Sequence, residues 1–198
     1  GVIAFFRGFE SRSIAELVRK DTGWAPKTLL MERISGREVV NSNVIWDDTS
    51  SVVSETRVPE LDLTEVHPLD DRMKVNVLDP YSAVLRLLNQ IEKTGDCTSS
   101  YEIYDGRRRS RIYFEKIGKI VLEQDRPGVF AGSAMVCDVK FDPIGGHRIN
   151  PKWRSNKDQN GRVKVFFARP LESQVMPVRI EVKSWIGKII GRLDLRQM

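Results

Sequence analysis

DPYSAVLRLLNQIEKTGDCTSSYEIYDGRRRSRIYFEK, residues 79–116, decides the fold. Its first half reads as a helix over Asp79–Lys93. Asp79 caps the free amides and Pro80 suits the first helical position. Tyr81, Val84, Leu85, Leu88 and Ile91 recur at helical spacing, with Arg86, Asn89, Gln90 and Lys93 on the other side. Gly95 stops the helix. The second half reads as a hairpin, Tyr101–Lys116, turning at Asp105-Gly106, since Asp-Gly between alternating runs marks a two-residue turn. A lone amphipathic helix beside strands needs a sheet to cover its apolar stripe.

Strand patterns extend in both directions. Upstream, residues 9–20 alternate, Lys27–Ile34 and Glu38–Trp46 bracket Ser35-Gly36-Arg37, and Ser51–Val58 ends at Pro59. Residues 59–76 read as a connecting loop, without the Ser/Gly tract of a domain linker. Downstream, Ile117–Gln124 and Ala131–Phe141 pair around Asp125-Arg126-Pro127-Gly128. Asp142-Pro143-Ile144-Gly145-Gly146-His147-Arg148 reads as a tight turn that needs positive φ. A polar segment, 150–161, precedes three strands patterned on Val163-Val165-Phe167, Val178-Ile180-Val182 and Leu193-Leu195. This predicts a mainly β chain in one domain spanning 1–198. It takes the form of a curved antiparallel sheet packed against one principal α-helix, one sheet face apolar and the other charged. Such a sheet must curl or split to hide its edges and its apolar face.

The 198 residues are 40 % apolar and 30 % charged, the composition of a globular chain. No run approaches the roughly eighteen apolar residues of a membrane-spanning helix. The net charge of +5 permits contact with nucleic acid, anionic lipid or an acidic partner and selects none of them. Val2-Ile3-Ala4-Phe5-Phe6 is too apolar for a free terminus, so Gly1 reads as a cut made inside a domain, with room for a signal peptide upstream.

There are two cysteines, Cys97 and Cys137. In a reducing compartment such thiols are small buried residues; outside the cytosol an even count suggests a bridge. Alternation puts Met135, Cys137, Val139 and Phe141 on one face, with Asp138 and Lys140 on the other, so Cys137 faces the core. A bridge would add about 4 kcal/mol in the chain-entropy model. Spacing excludes CxxC and zinc patterns, and with only His67 and His147 present no metal site is expected. No cofactor motif is found.

Three groups carry candidate chemistry. Cys137, His147 and Asp142 can be drawn as thiol, base and orienting acid, but apolar neighbours raise a thiol pKa and disfavour that reading. Arg107, Arg108, Arg109 and Arg111, interleaved with Tyr101, Tyr104 and Tyr113, form a patch for an anionic partner. Glu102, Asp105 and Glu115 dilute it and argue against nucleic acid. Tyr81, Val84, Leu85 and Leu88 either line a lipid cavity or pack as an ordinary core stripe.

The ordered set Leu78-Asp79-Pro80-Tyr81-Ser82-Ala83, Cys97, Tyr104-Asp105-Gly106-Arg107, Val136-Cys137 and Asp142 to Arg148 resembles the family called domain of unknown function 3108, in its alphaproteobacterial form. Val178-Arg179-Ile180 and Trp185-Ile186-Gly187 are similar to that family's last hairpin. The resemblance implies a periplasmic envelope protein with a signal peptide and opening strands upstream, and with a sheet similar to the half-open barrel of the lipoprotein carriers. It implies no activity. The expected function is therefore non-enzymatic binding of a lipid-like ligand or an envelope protein. The alternative is a cytosolic thiol enzyme using Cys137 and His147, or a nucleic-acid binder using the Arg107–Arg111 hairpin.

Overall fold

The computed structural model describes residues 9–36, 38–149, 162–170, 174–184 and 187–197. The polar segment 150–161 and the Trp185-Ile186 pair lie outside them. Four strands come first: β1 (Phe9–Lys20), β2 (Gly23–Ser35), β3 (Glu38–Trp46) and β4 (Val52–Val58). They form an antiparallel sheet in the order β1-β2-β3-β4. Helix α1 (Pro80–Thr94) follows. Then come β5 (Ser99–Tyr104), β6 (Arg109–Leu122), β7 (Gly132–Gly145), β8 (Val163–Ala168), β9 (Met176–Ser184) and β10 (Gly187–Arg192). These make a second sheet in the order β10-β9-β8-β7-β6-β5. Among the described residues the protein is mainly β, with two open antiparallel sheets and one α-helix, and no barrel closes.

The chain divides into two compact units. The first is built from the chain up to Leu85, Glu102–Ser110 and the segment that starts at Pro143; the second from Arg86–Tyr101, Arg111–Asp142 and the C-terminal strands. Each is assembled from separate stretches, so no linker composition marks a boundary.

In the first unit the core is Leu29, Val44 and Trp46, covered by Val77 and Tyr104. Every other residue of β2 and β3 contributes to it, as a period of two requires. Leu29 faces Val44 and Met31 faces Ser42 in the β2–β3 register. Glu55 of β4 accepts hydrogen bonds from Tyr104 Oη and Lys74 Nζ, both at 2.5 Å. Burial, then the bond to Glu55, pushes the Tyr104 phenol well above its ordinary pKa. The 59–76 segment holds two 3-10 turns and pairs with the residues after β7. His67 N donates to His147 O at 2.8 Å, and Gly146 N donates to His67 O at 3.0 Å.

Asp79 starts α1 as the sequence predicts. Its carboxylate is fully buried and accepts from Tyr81 N at 2.8 Å, from Ser82 N and from the Ser82 hydroxyl. Gly95, at φ +65°, ends the helix. The buried stripe agrees with the predicted one at Ile91, and half-buried Leu88 packs on the same core, but Ala83 and Leu87 are its other buried members, while Tyr81 and Val84 are exposed and Leu85 is half-buried. Two apolar faces overlap on this helix, and spacing alone does not say which is covered.

In the second unit, Leu87 and Ile91 pack with Met135, Cys137 and Phe167 on one side of the sheet. Ala134, Val136 and Phe166 fill the other side with Leu122, Ala168 and Val178. The middle of this sheet is thus apolar on both faces, contrary to the one-faced prediction, because Phe130, Met176 and Leu193 cover the second face. Asp138 is buried while Phe141 is exposed, the reverse of the expectation. Cys97 and Cys137, both with no exposed surface, are bonded to each other, as predicted, with Sγ–Sγ 2.00 Å.

Three further expectations are corrected. Residues 109–122 form one strand that runs through Gly118, since a single glycine without a turn partner does not reverse the chain. Strand β7 continues through Asp142, Pro143 and Gly145; the turn begins only at Gly146, where φ is +72°. The last strand is Gly187–Arg192, not 192–196, because Asp194 Oδ1 accepts from Arg196 N at 3.0 Å and bends the chain into a 3-10 turn.

A Cβ on Gly146 would lie 1.9 Å from the Arg107 carbonyl oxygen, whereas one on Gly95 meets nothing within 4 Å. Gly95→Ala should therefore cost only the left-handed penalty of about 1–2 kcal/mol. Gly146→Ala should cost clearly more in the same denaturant titration, because backbone must move. Replacing Cys97 and Cys137 together by alanine should cost about 2–5 kcal/mol, read as a lower denaturation midpoint under non-reducing conditions.

Candidate functional site

The four-stranded sheet of the first unit presents two chemically different faces. Opposite its core face, cross-strand neighbours line up in two rows. Ile14, Leu30, Asn43 and Thr56 form one row across β1 to β4; Arg12, Glu32, Asn41 and Val58 form the next. Together they line a groove of about 400 Å³. Ile14 is 51 %, Leu30 45 % and Val58 66 % exposed, so apolar surface lies open to water along it. Asn43 Oδ1, in the first row, is buried without a hydrogen-bond partner.

On the core face the apolar pattern gives way to charge toward one end. Arg33 follows Leu29 and Met31 at the same parity of β2, and Arg57 sits opposite Ser42. The Asp105–Arg108 turn descends on this end: a Cβ on Gly106 would lie 2.9 Å from Val44 Cγ2 and 3.6 Å from Ser42 Oγ. Gly106 holds φ +80°, so the predicted Asp-Gly turn is present. The Gly146 turn packs against the carbonyl of Arg107 and brings in Arg148. The result is a cluster of Arg33, Arg57, Arg107, Arg108 and Arg148. Burial, then Arg108, Arg57, Arg148 and Arg33, lower the Arg107 pKa. Burial and Arg33 lower that of Arg57, against Asp105 and Glu38. The Nε atoms of Arg57 and Arg107 are buried and bond to nothing.

The predicted patch is therefore divided. Arg108 is engaged by Asp105 at 2.8 Å, and Arg109 by Glu102 and the Met73 carbonyl. Arg111 belongs to the second unit, its guanidinium 3.4 Å from Tyr113 Oη. Only Arg107 joins the new cluster fully. Arg33 and Arg57 were missed as site residues. For Arg33 a signal was readable, a charge in place of an apolar residue after Leu29 and Met31 at the same parity; Arg57 follows Glu55 at its parity and gave none.

Of the predicted turn residues, Asp142 and Pro143 are exposed within β7, Gly145 and Gly146 are buried, and His147 is half-buried. His147 Nε2 lies 3.0 Å from Ser110 Oγ and 3.2 Å from the Arg109 carbonyl oxygen. A carbonyl only accepts, so Nε2 carries a hydrogen. The sulfur of Cys137 is committed to Cys97, which removes the thiol that the nucleophile reading requires. Among the described residues no group of three metal-ligating side chains converges.

A family model described as a protein of unknown function (DUF3108) matches residues 12–195. The chain belongs to that family. The match spans the groove, the arginine cluster and both cysteines of this DUF3108 protein. No curated protein and no solved structure matches it.

Burial lowers the His147 pKa below its ordinary 6.5, ahead of the opposing bond to Arg109. The unfolded chain then binds more protons than the folded one between the two values. The stability that His147 contributes is full above pH 6.5 and is lost as pH falls through that window. Unfolding free energy, measured by denaturant from pH 7 to 5, should fall, and His147→Gln should flatten the slope.

Proposed function

We propose that this DUF3108 protein is a non-enzymatic protein of the periplasm that binds a small lipid-like amphiphile in the groove across β1 to β4. One observation carries the reading: two cross-strand rows leave Ile14, Leu30 and Val58 open in a trough whose volume falls within the range of ligand sites. Arg12 and Glu32, side by side in the second row, supply a polar end for a headgroup. The trough suits one extended chain lying across the strands. Two supports favour the compartment. The bonded cysteines suit an oxidising environment, and the motif order resembles envelope proteins. Among the described residues no helix is long and apolar enough to cross a membrane.

Native mass spectrometry of the full-length protein, purified from its own envelope, should show a co-purifying lipid-like mass. In vitro, a fluorescent fatty acid should bind the wild type. Leu30→Glu, at an exposed position, should weaken that binding at least about tenfold without lowering the melting temperature. Equal binding by Leu30→Glu and wild type would remove the groove as the site.

A further inference from the structure

We propose that Arg33, Arg57, Arg107 and Arg148 form a second site, on the opposite face of the same sheet, for a phosphate-class oxyanion. The proposal does not rest on the groove. Three observations carry it. The first is placement: Arg33 and Arg57 occupy core-face positions of β2 and β4, and the 105–108 and 146–148 turns bring Arg107 and Arg148 to them. Chains from four separate stretches thus deliver like charges to one end of one sheet.

The second observation is the absence of partners for these side chains. Among the described residues none of the four side chains is held by an ion pair, unlike Arg108 and Arg109 beside them. The Nε atoms of Arg57 and Arg107 are shut off from water and unbonded. A buried donor without an acceptor is costly, and a guanidinium without a counter-charge more so. Half-buried arginines are ordinarily found paired.

The third is charge balance. Arg33, Arg57, Arg108 and Arg148 all lie within electrostatic reach of Arg107, while Asp105 and Glu38 act on Arg57. The Asp105 carboxylate is already consumed by the amides of Arg107 and Arg108 and by the Arg108 side chain. This concentration of positive charge suits a multiply charged anion better than a single carboxylate. Planar guanidinium forks match the tetrahedral oxygens of phosphate, which accept from several directions. The same chemistry occurs in a free phosphate monoester and in the headgroup of a phospholipid.

The full chain, disulfide intact, is titrated with inorganic phosphate against chloride at equal ionic strength. Phosphate should raise the wild-type melting temperature. Arg57→Gln and Arg107→Gln should each weaken phosphate binding by about tenfold or more. Arg148→Gln, at an exposed turn position where folding is not at stake, should do the same. Lys119→Gln, which removes one exposed charge elsewhere, should bind as the wild type does. In chloride alone Arg107→Gln should melt no lower than wild type, since the guanidinium it removes is repelled by its neighbours. Sedimentation with phosphatidylcholine vesicles, with and without phosphatidate, separates the two sources. Co-sedimentation with phosphatidate together with the phosphate response assigns a headgroup; the phosphate response alone assigns a soluble phosphate ester. No wild-type response to phosphate, or equal affinity in wild type and all three arginine variants, would overturn the site. The fluorescent fatty acid should bind these variants as it binds the wild type, so failure of this site and failure of the groove read out separately.

Discussion

The Cys97–Cys137 bond fixes the exit of α1 to the middle of the six-stranded sheet, and the rest of the second unit is arranged around it. Both cysteines are fully buried among Leu87, Ile91, Met135 and Phe167. One covalent link therefore holds the helix, β7 and β8 to one core. The loop it closes also contains the Asp105–Arg108 turn, which delivers Arg107 to the first unit. Restricting the unfolded chain across that loop lowers the entropy lost when the turn is placed. A protein with this arrangement gains most where thiols stay oxidised.

In the first unit one sheet carries two kinds of surface, and the cause is the period of two. Leu29, Val44 and Trp46 turn one way; Ile14, Leu30 and Val58 turn the other. The core face is sealed by Val77 and Tyr104 and becomes cationic toward one end, where Arg33 follows Leu29 and Met31 at the same parity and Arg57 lies opposite Ser42. The groove face stays open. A register slip of one residue would exchange the two surfaces, so the hairpin turns that fix register also fix which chemistry lies where.

The arginine cluster is a local conflict. Several charges elsewhere are paired: Lys74 with Glu55, Arg192 with Asp125, Arg169 with Glu92. Arg109 and Arg179 also bury an unbonded Nε, but each is paired with a glutamate. Asp79 is buried, but helix amides and a serine hydroxyl satisfy it. The Nε atoms of Arg57 and Arg107 have no such compensation. Sites that break a local rule at a cost in stability are where a ligand's contribution is most readily accommodated.

Much of the fold was legible because short-range chemistry determines it. The Asp79 cap, the Gly95 stop, the Asp105-Gly106 turn and the alternating strands each depend on residues within a few positions. The disulfide was legible from count and parity together. The buried side of α1 was not, because two apolar faces overlap on one helix and only the neighbouring sheet selects Ala83, Leu87 and Ile91 over Tyr81 and Val84. Nor was the double-sided burial of β7, which depends on Phe130 and Leu193 arriving from distant stretches. The candidate site divides along the same line. Sequence placed Arg107 at the start of a strand, next to a turn and beside other arginines; tertiary structure put it in the turn, paired Arg108 and Arg109 with carboxylates and gathered Arg33, Arg57 and Arg148 around what remained. Local sequence determines conformation through bonds that span a few residues, whereas a cluster of like charges is made by chain segments that meet only after the sheet has formed.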